Sequence, residues 1–571
     1  MINIYQLFPR LFGNKMRQTI PYGTISENGC GKFADINEEA IQSLKDMGIT
    51  HIWLTGIIRH ACLTDYTAYG IPPSHPAVVK GRAGSPYAIS DYYDVGPDLA
   101  TNPARRMAEF EELLHRIHQA GLKVLMDFVP NHLARQYRSV VKPDDVHDFG
   151  ADDDNSVSFK PTNNFYYLPN EAFQPPGRAL TPLDEAAKTD YTEFPSKVTG
   201  NDCFTARPTL NDWYETVKLN YGVDLFNVKT KAFDPIPDTW NKMLHILNYW
   251  AAKGVDGFRT DMSEMVPVEF WRWLIKDLKK GFIDLLFIAE IYQPSLYNAF
   301  IDAGFDFLYD KVGLYNTLEN ILIHNQPAET ISQCWQTLPV EESRMLRFME
   351  NHDEPRLASP HLVGDAWAAM PAVAVSALMH TGPFMLYNGQ EFGEEALGSP
   401  GFSGDDGRTT IFDYAHMPSI QDWIQHGRFD DNAMSYGQKQ LREFYRKMLH
   451  LRLNRAAFNE GAFYDLMWAN PWHSDFDPQY VYAFMRYTTA EVIVVLANFN
   501  RSQKRSVRLK IPEDALRKAG LSAYKTNRCQ ALDIFDPSVS YTIDMQRISK
   551  EGIHLVLQKA ETTILEIKPQ H

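Results

Sequence analysis

Two acidic residues, Asp261 and Glu290, each follow an apolar run that has the character of a buried strand. These runs, which begin at Val255 and span 285–289, are typical of parallel strands that are covered on both faces. The acids are 29 residues apart, about one strand–helix–strand repeat, and a helix is predicted between them from Pro267 to Lys280. An acid after a strand is often only a helix cap, but two acids at successive strand ends predict a shared site.

The other predicted elements extend this repeat into a (β/α)8 barrel. Eight strands are predicted, at 2–8, 49–54, 123–128, from 255, from 285, 304–308, 345–350 and 383–387. The predicted helices span 38–47, 103–120, 238–253, 267–280, 366–379 and 435–453. Catalytic groups of such a barrel follow the carboxyl ends of its strands, so Asp261 and Glu290 are predicted to meet there. Residues 55–102 are predicted to form one long functional loop.

Two regions of the 571-residue chain depart from this barrel pattern. Residues 133–214 lose all periodicity and are rich in Asp, Asn, Pro and Gly, which predicts an irregular domain inserted after strand three. Residues 456–571 alternate between apolar and polar, which predicts a C-terminal antiparallel β-sandwich, either a structural appendage or a binding module. The predicted barrel therefore consists of residues 1–132 and 215–455.

The composition limits which partners the chain could bind. A formal charge of −15 without any Lys/Arg block argues against a nucleic acid or an anionic membrane, and it does not disfavour a neutral substrate. Aromatic residues make up 13% of the chain, and flat aromatic faces suit sugar rings, although most of them are expected in the core.

The sequence predicts a cytoplasmic protein. The start of the chain does not resemble a signal peptide, and no run reaches transmembrane length. Its five cysteines are odd in number and widely spread, which argues against a disulfide or zinc framework and favours a reducing compartment.

Five short motifs, in this order, resemble the α-amylase family (glycoside hydrolase family 13) of retaining glycosidases and transglycosylases. They are D-F-V-P-N-H at 127–132, V-K-L-N at 217–220, G-F-R-T-D at 257–261, A-E at 289–290 and N-H-D at 351–353. Segments at 4–10, 48–54 and 382–391 are similar to further parts of the family. Each motif alone is weak evidence, whereas all of them in family order, over most of residues 1–455, are strong evidence.

The resemblance implies a role for each of three acids. Asp261 would be the nucleophile, Glu290 the general acid/base, and Asp353 the acid that stabilises the oxocarbenium-like transition state. Arg259 lies two residues before Asp261, on the same strand face, and is expected to keep that carboxylate ionised. Crowding by the other two acids is expected to favour the protonated form of Glu290.

Five residues are assigned to substrate binding by the same resemblance: Tyr87, Asp127, His132, Arg259 and His352. Tyr87 would stack under the sugar at the cleaved bond, or else anchor a loop. The two histidines would hydrogen-bond sugar hydroxyls. Asp127 is expected to orient the arginine or the loop rather than to react.

Departures from the family pattern concern calcium. Asn131 matches a calcium ligand of the family, but Glu264 and Met265 stand where many amylases have a Lys-His pair that helps to bind substrate and calcium. A hard cation needs six or more oxygen ligands. We therefore expect no required cofactor, with calcium at Asn131 as the one candidate ion, and endo-amylase action is in doubt.

The function predicted from these observations is retaining hydrolysis of α-1,4-linked glucans or malto-oligosaccharides. The alternative is transfer, as in a maltosyltransferase or a branching-type enzyme. G-S-P-Y-A-I at 84–89 resembles the maltosyltransferase branch that uses maltose 1-phosphate, whereas I-S-D-Y-Y at 89–93 resembles the oligo-α-glucosidase branch. An inactive carbohydrate-binding barrel would have lost an acid, and a metal-dependent hydrolase would need tighter ligand spacing than D-x-x-x-N-H. Chain-length preference and oligomeric state stay open.

Overall fold

Eight parallel strands close into a barrel in this computed structural model, which describes residues 1–177, 190–398, 401–402, 404–521 and 528–569. The strands are β1 Asn3–Leu7, β2 His51–Leu54, β3 Lys123–Phe128, β4 Gly257–Thr260, β5 Leu286–Ala289, β6 Phe307–Tyr309, β7 Met345–Phe348 and β8 Phe384–Tyr387. Each strand pairs with its successor and β8 pairs with β1, so the ring has no free edge. The predicted (β/α)8 barrel is confirmed, although most strands are shorter than the apolar runs suggested, because residues such as Phe8 and Ile49 are buried in adjoining turns.

Helices surround the barrel on its outer face. They are α1 Glu38–Asp46, α2 Arg106–Gln119, α3 Asp238–Ala252, α4 Val268–Gly281, α5 Tyr297–Ala303, α6 Asn316–His324, α7 Ile331–Gln336, α8 Met370–Leu378 and α9 Tyr436–Asn454. Single-turn helices also span Pro9–Phe12, Ile25–Asn28, Gln421–Ile424 and Ala456–Asn459. The starts of α1 and α9 are fixed by side-chain caps: Asn37 accepts from the Ala40 N–H, and Ser435 forms a capping box with Gln438.

The hydrophobic core has two layers. The inner layer fills the barrel with one apolar side chain from most strands, including Ile4, Trp53, Leu125, Ile288 and Met385. The outer layer lies between strands and helices, where the periodic apolar faces of helices such as α4 pack against the barrel. The barrel interior is thus a solid support for whatever lies at its ends.

The long segment after β2 is more ordered than predicted. Instead of a plain loop, residues Ile58–His60 and Ile89–Val95 form an antiparallel pair. The aromatic residues 92–93 are buried in this pair. The sequence did not predict the strand, because the run is short and the strand it pairs with lies 30 residues away. The expectation of a single loop was wrong on this point.

The insertion after β3 is anchored by its own strand pairing. His132–Ala134, directly after β3, pairs antiparallel with Thr216–Lys218. Smaller pairs join Tyr167–Leu168 to Ser196–Lys197 and Val223–Asp224 to Thr230–Lys231. The two ends of the insertion therefore meet at the carboxyl end of β3.

A C-terminal antiparallel sheet domain follows α9, as predicted. Its elements are β9 Ala462–Asp465, β10 Val481–Tyr487, β11 Val492–Asn498, β12 Arg505–Leu509, α10 Glu513–Lys518, β13 Arg528–Asp533, β14 Ser540–Asp544, β15 Ile553–Leu557 and β16 Thr562–Pro569. Six strands form one sheet in the order β9-β10-β11-β16-β13-β14, and β12 pairs with β15. Across the described parts of the chain, no helix is both long enough and apolar enough to cross a bilayer.

Candidate active site

Three acids follow the carboxyl ends of barrel strands and line one cavity. Asp261 and Glu290 come directly after β4 and β5, and their backbone N–H groups continue the ladder to Phe128 and Thr260, at 2.8 and 3.1 Å. Asp353 follows β7. All three lie on the wall of a cavity of about 410 Å³. The strand ladder therefore brings together acids that are up to 92 residues apart in the sequence.

The Arg259 side chain links Asp261 to Glu290. It is fully buried, and its Nη1 donates to Asp261 Oδ1 at 2.8 Å, while Nη2 lies 2.9 Å from Glu290 Oε2. Asp127 Oδ1 is 3.4 Å from Nη1, and Nε donates to the Tyr309 hydroxyl. A guanidinium matches carboxylates through several donors in one plane, so it sets the relative position of these acids.

Burial dominates the protonation of this cluster. It raises the pKa of Asp261 well above its usual range, with a further rise from Glu290, and Arg259 opposes both without reversing them. Burial and Glu290 likewise raise the pKa of Asp353 to about 7, and burial raises the pKa of Asp127 to about 6. Arg259 thus acts in the expected direction on Asp261, and the ionised form of this carboxylate stays a prediction.

Glu290 accepts hydrogen bonds from two further neighbours. The Met262 N–H donates to Oε2 at 2.7 Å and the Tyr292 hydroxyl to Oε1 at 2.5 Å. Tyr292 lies on the cavity wall and was missed in the sequence, where its position two residues after Glu290 was the available signal. Its hydroxyl holds the Glu290 carboxyl in a defined orientation.

Tyr87 and His132 are the two predicted binding residues, other than the acids, that line the cavity. The Tyr87 ring stacks on that of His352, at 5.2 Å between centroids. Its hydroxyl lies 2.5 Å from His352 Nε2, while Gln6 lies 2.8 Å from Nδ1. Burial and two ammonium groups lower the pKa of His132 to about 3, so this imidazole is neutral near pH 7.

The other predicted binding residues lie behind the cavity wall. His352, Arg259 and Asp127 are buried and do not line it. His352 supports the Tyr87 hydroxyl and lies 3.2 Å from Asp353, so its direct contact with a sugar stays a prediction. Further wall residues that the sequence did not reveal are Trp213 from the insertion and, after β8, Phe402 and Phe412.

Lys218 lies at Asn131, the residue named above as the one candidate calcium ligand. Its ammonium, on a side chain only 4% exposed, donates to the Asn131 amide oxygen. It also lies 2.8 Å from Asp202 Oδ1 and 3.3 Å from the Met265 carbonyl. An ammonium among these oxygens already supplies their positive charge, so the residues present do not fit calcium at Asn131.

The Glu264 side chain has a structural contact of its own. Its Oε2 accepts from the N–H groups of Tyr292 and Gln293, at 2.9 and 3.0 Å. It therefore ties the turn after β4 to the loop after β5, which carries Tyr292. The two departures from the family pattern, at 264 and 265, thus both contribute to holding the rim of the site.

A closed parallel barrel with a cluster of carboxyls at the carboxyl ends of its strands is similar to known proteins of the α-amylase type. The family model described as "Alpha amylase, catalytic domain" matches residues 6–284. Alpha-amylase MalA of Haloarcula japonica is 24% identical over 502 residues, which is 87% of this chain and 55% of that protein. Neopullulanase 2 of Thermoactinomyces vulgaris is 22% identical, over 89% of this chain and 71% of that protein.

A solved structure shows the same fold over the full length. The noncanonic maltogenic alpha-amylase AmyB from Thermotoga neapolitana has a TM-score of 0.62 and 21% identity, covering 100% of this chain and 99% of that one. The chain spans only about half the length of the MalA relative. Residues 6–284, which the family model covers, are therefore similar to the α-amylase catalytic domain, and the relatives extend this similarity over most of the chain.

Substituting Lys218 tests its role as a built-in cation. Lys218→Met should lower the free energy of unfolding by about 2 kcal/mol, because it leaves the Asn131 and Asp202 oxygens without their charged partner. Urea denaturation measures this change, with the exposed Lys160→Met as the matched control. The wild-type melting temperature should be the same in a chelator and in millimolar calcium; a large fall in the chelator would show that a calcium site persists.

The raised pKa of Asp353 predicts a pH-dependent stability. The folded protein binds this proton more tightly than the unfolded chain, whose carboxyl has an ordinary pKa of 3.8. Stability from this group is therefore present in acid and is lost as pH rises towards 7. Asp353→Asn removes the ionisation and should raise the melting temperature at pH 8 by roughly 1–3 °C, with a smaller gain at pH 4.5. Equal gains at both pH values would contradict the prediction.

Proposed function

We propose that the chain is a retaining hydrolase of α-1,4-linked glucans or malto-oligosaccharides. The observation that carries this proposal is the placement of Asp261 and Glu290 on one buried guanidinium, with Asp353 facing the same cavity. A retaining mechanism needs a nucleophilic carboxylate and a proton-donating one close to the same bond. The relatives include amylases and a neopullulanase, which act on this substrate class by name.

The reaction would proceed in two displacements. Asp261 attacks the anomeric carbon through Oδ2, since Oδ1 is bound by Arg259, while Glu290 gives its proton to the glycosidic oxygen and that bond breaks. Water then attacks the same carbon of the glycosyl ester, Glu290 takes the water proton, and Asp261 leaves as the carboxylate. Asp353 balances positive charge that develops on the sugar.

The cavity walls suit a neutral sugar. Tyr87, Trp213, Tyr292 and Phe412 offer aromatic surface, and His132 is held neutral. These features support an oligo- or polysaccharide substrate. We propose that the protein binds neither nucleic acid nor a membrane and that it requires no metal.

Transfer to phosphate is the second candidate, because a maltose-1-phosphate maltosyltransferase is also among the relatives. Phosphate would need a cation at the cavity. Lys80 is the one basic side chain among the described residues that line the cavity, and its ammonium lies 3.2 Å from Glu215 Oε1. Arg82 and Lys160 are engaged elsewhere, with the Tyr22 carbonyl and Asp154. This pairing favours water over phosphate as the acceptor.

We further propose that the protein acts in the cytoplasm. All five cysteines are free, and burial together with the charge of Asp98 raises the thiol pKa values of the buried Cys30 and the partly buried Cys62. Reduced thiols of this kind suit a reducing compartment.

The two reacting acids can be separated by leaving group. Asp261→Asn should lower kcat by a factor on the order of 10⁴ on every substrate, because an amide cannot form the glycosyl ester. Glu290→Gln should lose roughly 10²–10⁴-fold on malto-oligosaccharides and far less on aryl glycosides whose leaving group needs no proton. Steady-state kinetics on both substrate types measure this, with the exposed Asp145→Asn as control. Activity of Asp261→Asn within tenfold of wild type would refute the nucleophile assignment.

The acceptor can be read from the products. Incubation with maltoheptaose and inorganic phosphate should yield reducing sugars and no maltose 1-phosphate, because Lys80 is already neutralised by Glu215. Chromatography with phosphate detection measures both products. Formation of the phosphate ester at a rate comparable to hydrolysis would replace the hydrolase proposal with the maltosyltransferase one.

A further inference from the structure

A second, larger groove lies between the barrel and the C-terminal domain. Its volume is about 940 Å³, against about 410 Å³ for the catalytic cavity, and the two share no lining residue. One wall is α7 with the turn before it, and the other is the edge strand β9 with the segment 467–471 and α10. Residues 337–344 lead from α7 to the start of β7, which places this groove away from the carboxyl ends of the strands.

The groove is lined by an unusual concentration of aromatic rings. They are Trp335, Phe463, Tyr464 and Trp468. Trp468 is 63% exposed, whereas tryptophans such as Trp53, Trp250, Trp271 and Trp423 are fully buried in the core. Exposed tryptophan alone decides nothing, since Trp472 is 73% exposed and does not line the groove. The combination of an exposed indole face with three further rings in one concave surface is what points to a ligand.

Polar groups in the groove are free to meet a neutral ligand. The side-chain amides of Gln333 and Gln336 make no hydrogen bond to any residue that the structure describes. Each amide can both donate and accept, as sugar hydroxyls do. The charged lining residues Glu329, Asp465 and Asp514 outnumber Lys518, which disfavours an anionic ligand.

The two walls are held in a fixed relation by Asp465. Its Oδ2 accepts from Ser332 at 2.6 Å and from Trp335 Nε1 at 3.0 Å, both on α7. The Tyr464 hydroxyl donates to Asp514 at 2.6 Å, which ties strand β9 to α10. A groove whose walls are joined by side-chain hydrogen bonds is preformed and loses little entropy on binding.

We propose that this groove is a non-catalytic binding site for an α-glucan chain, with Trp468 as its stacking platform. The size, the aromatic faces, the free amides and the excess of acidic over basic lining residues together match an uncharged polysaccharide rather than an anionic one. Such a site would hold a long substrate on the enzyme while another part of it reaches the catalytic cavity. The choice of an α-glucan rests on the proposed function.

Native gels containing amylopectin test the proposal on the whole protein. Trp468→Ala should weaken the apparent affinity for amylopectin roughly five- to tenfold, since one ring–sugar stack is lost. Its kcat/KM on an aryl maltoside should stay within about twofold of wild type. Trp472→Ala, an exposed tryptophan outside the groove, is the matched control and should change neither value. The double variant Gln333→Ala/Gln336→Ala should also weaken retention.

The outcomes separate this proposal from its rivals. Unchanged retention in Trp468→Ala, or an equal loss in Trp472→Ala, would overturn it. Conversion of a dimer to a monomer by Trp468→Ala in sedimentation, with retention unchanged, would assign the groove to a second copy of the chain. If retention depends on Trp468 but the protein hydrolyses no α-glucan, the proposed function is refuted and the binding site is not. If the protein hydrolyses α-glucans but retention does not depend on Trp468, the binding site is refuted and the proposed function is not.

Discussion

The site depends on one buried positive charge among several acids. Arg259 lies at the end of the barrel interior, fully buried, with Asp127, Asp261 and Glu290 within ion-pair distance. Without it, three carboxyls would crowd in a space from which water is largely excluded, and each ionisation would oppose the next. The rings of Trp53, Tyr87 and Tyr309 lie 5.4–5.6 Å from the guanidinium carbon and keep it in place.

The same principle recurs at the base of the insertion. Lys218 brings its ammonium to oxygens from three separate parts of the chain: Asn131 after β3, Asp202 in the insertion and Met265 after β4. A cation carried by a side chain is part of the chain itself and joins these three segments without an ion from solution at its own position. Lys218 also lowers the pKa of His132, so the structural cation and the binding surface are linked.

The C-terminal domain is joined to the barrel by buried contacts, not by a flexible linker alone. Arg486 on β10 is buried and donates to the carbonyls of Met379 and Gly461, at 3.0 and 2.6 Å. Burial lowers the pKa of this guanidinium to about 10, so it is charged at neutral pH. Because β10 is fixed to the residues just before β8, the neighbouring edge strand β9 and the groove beside it have a defined position relative to the catalytic cavity.

The sequence by itself determined the barrel, the C-terminal sheet and the three acids. Strand periodicity is a local property, and Asp261, Glu290 and Asp353 follow strands whose ends must meet on one face of a closed ring. The tertiary structure alone decided that Lys218 contacts Asn131, that Tyr292 orients Glu290, and that His352 lies behind Tyr87. These contacts join segments that only folding brings together. It also decided that the pKa of Asp261 is raised, because burial raises this pKa by more than the Arg259 guanidinium lowers it. That balance depends on how completely water is excluded from the site, which cannot be read from the order of residues in the sequence.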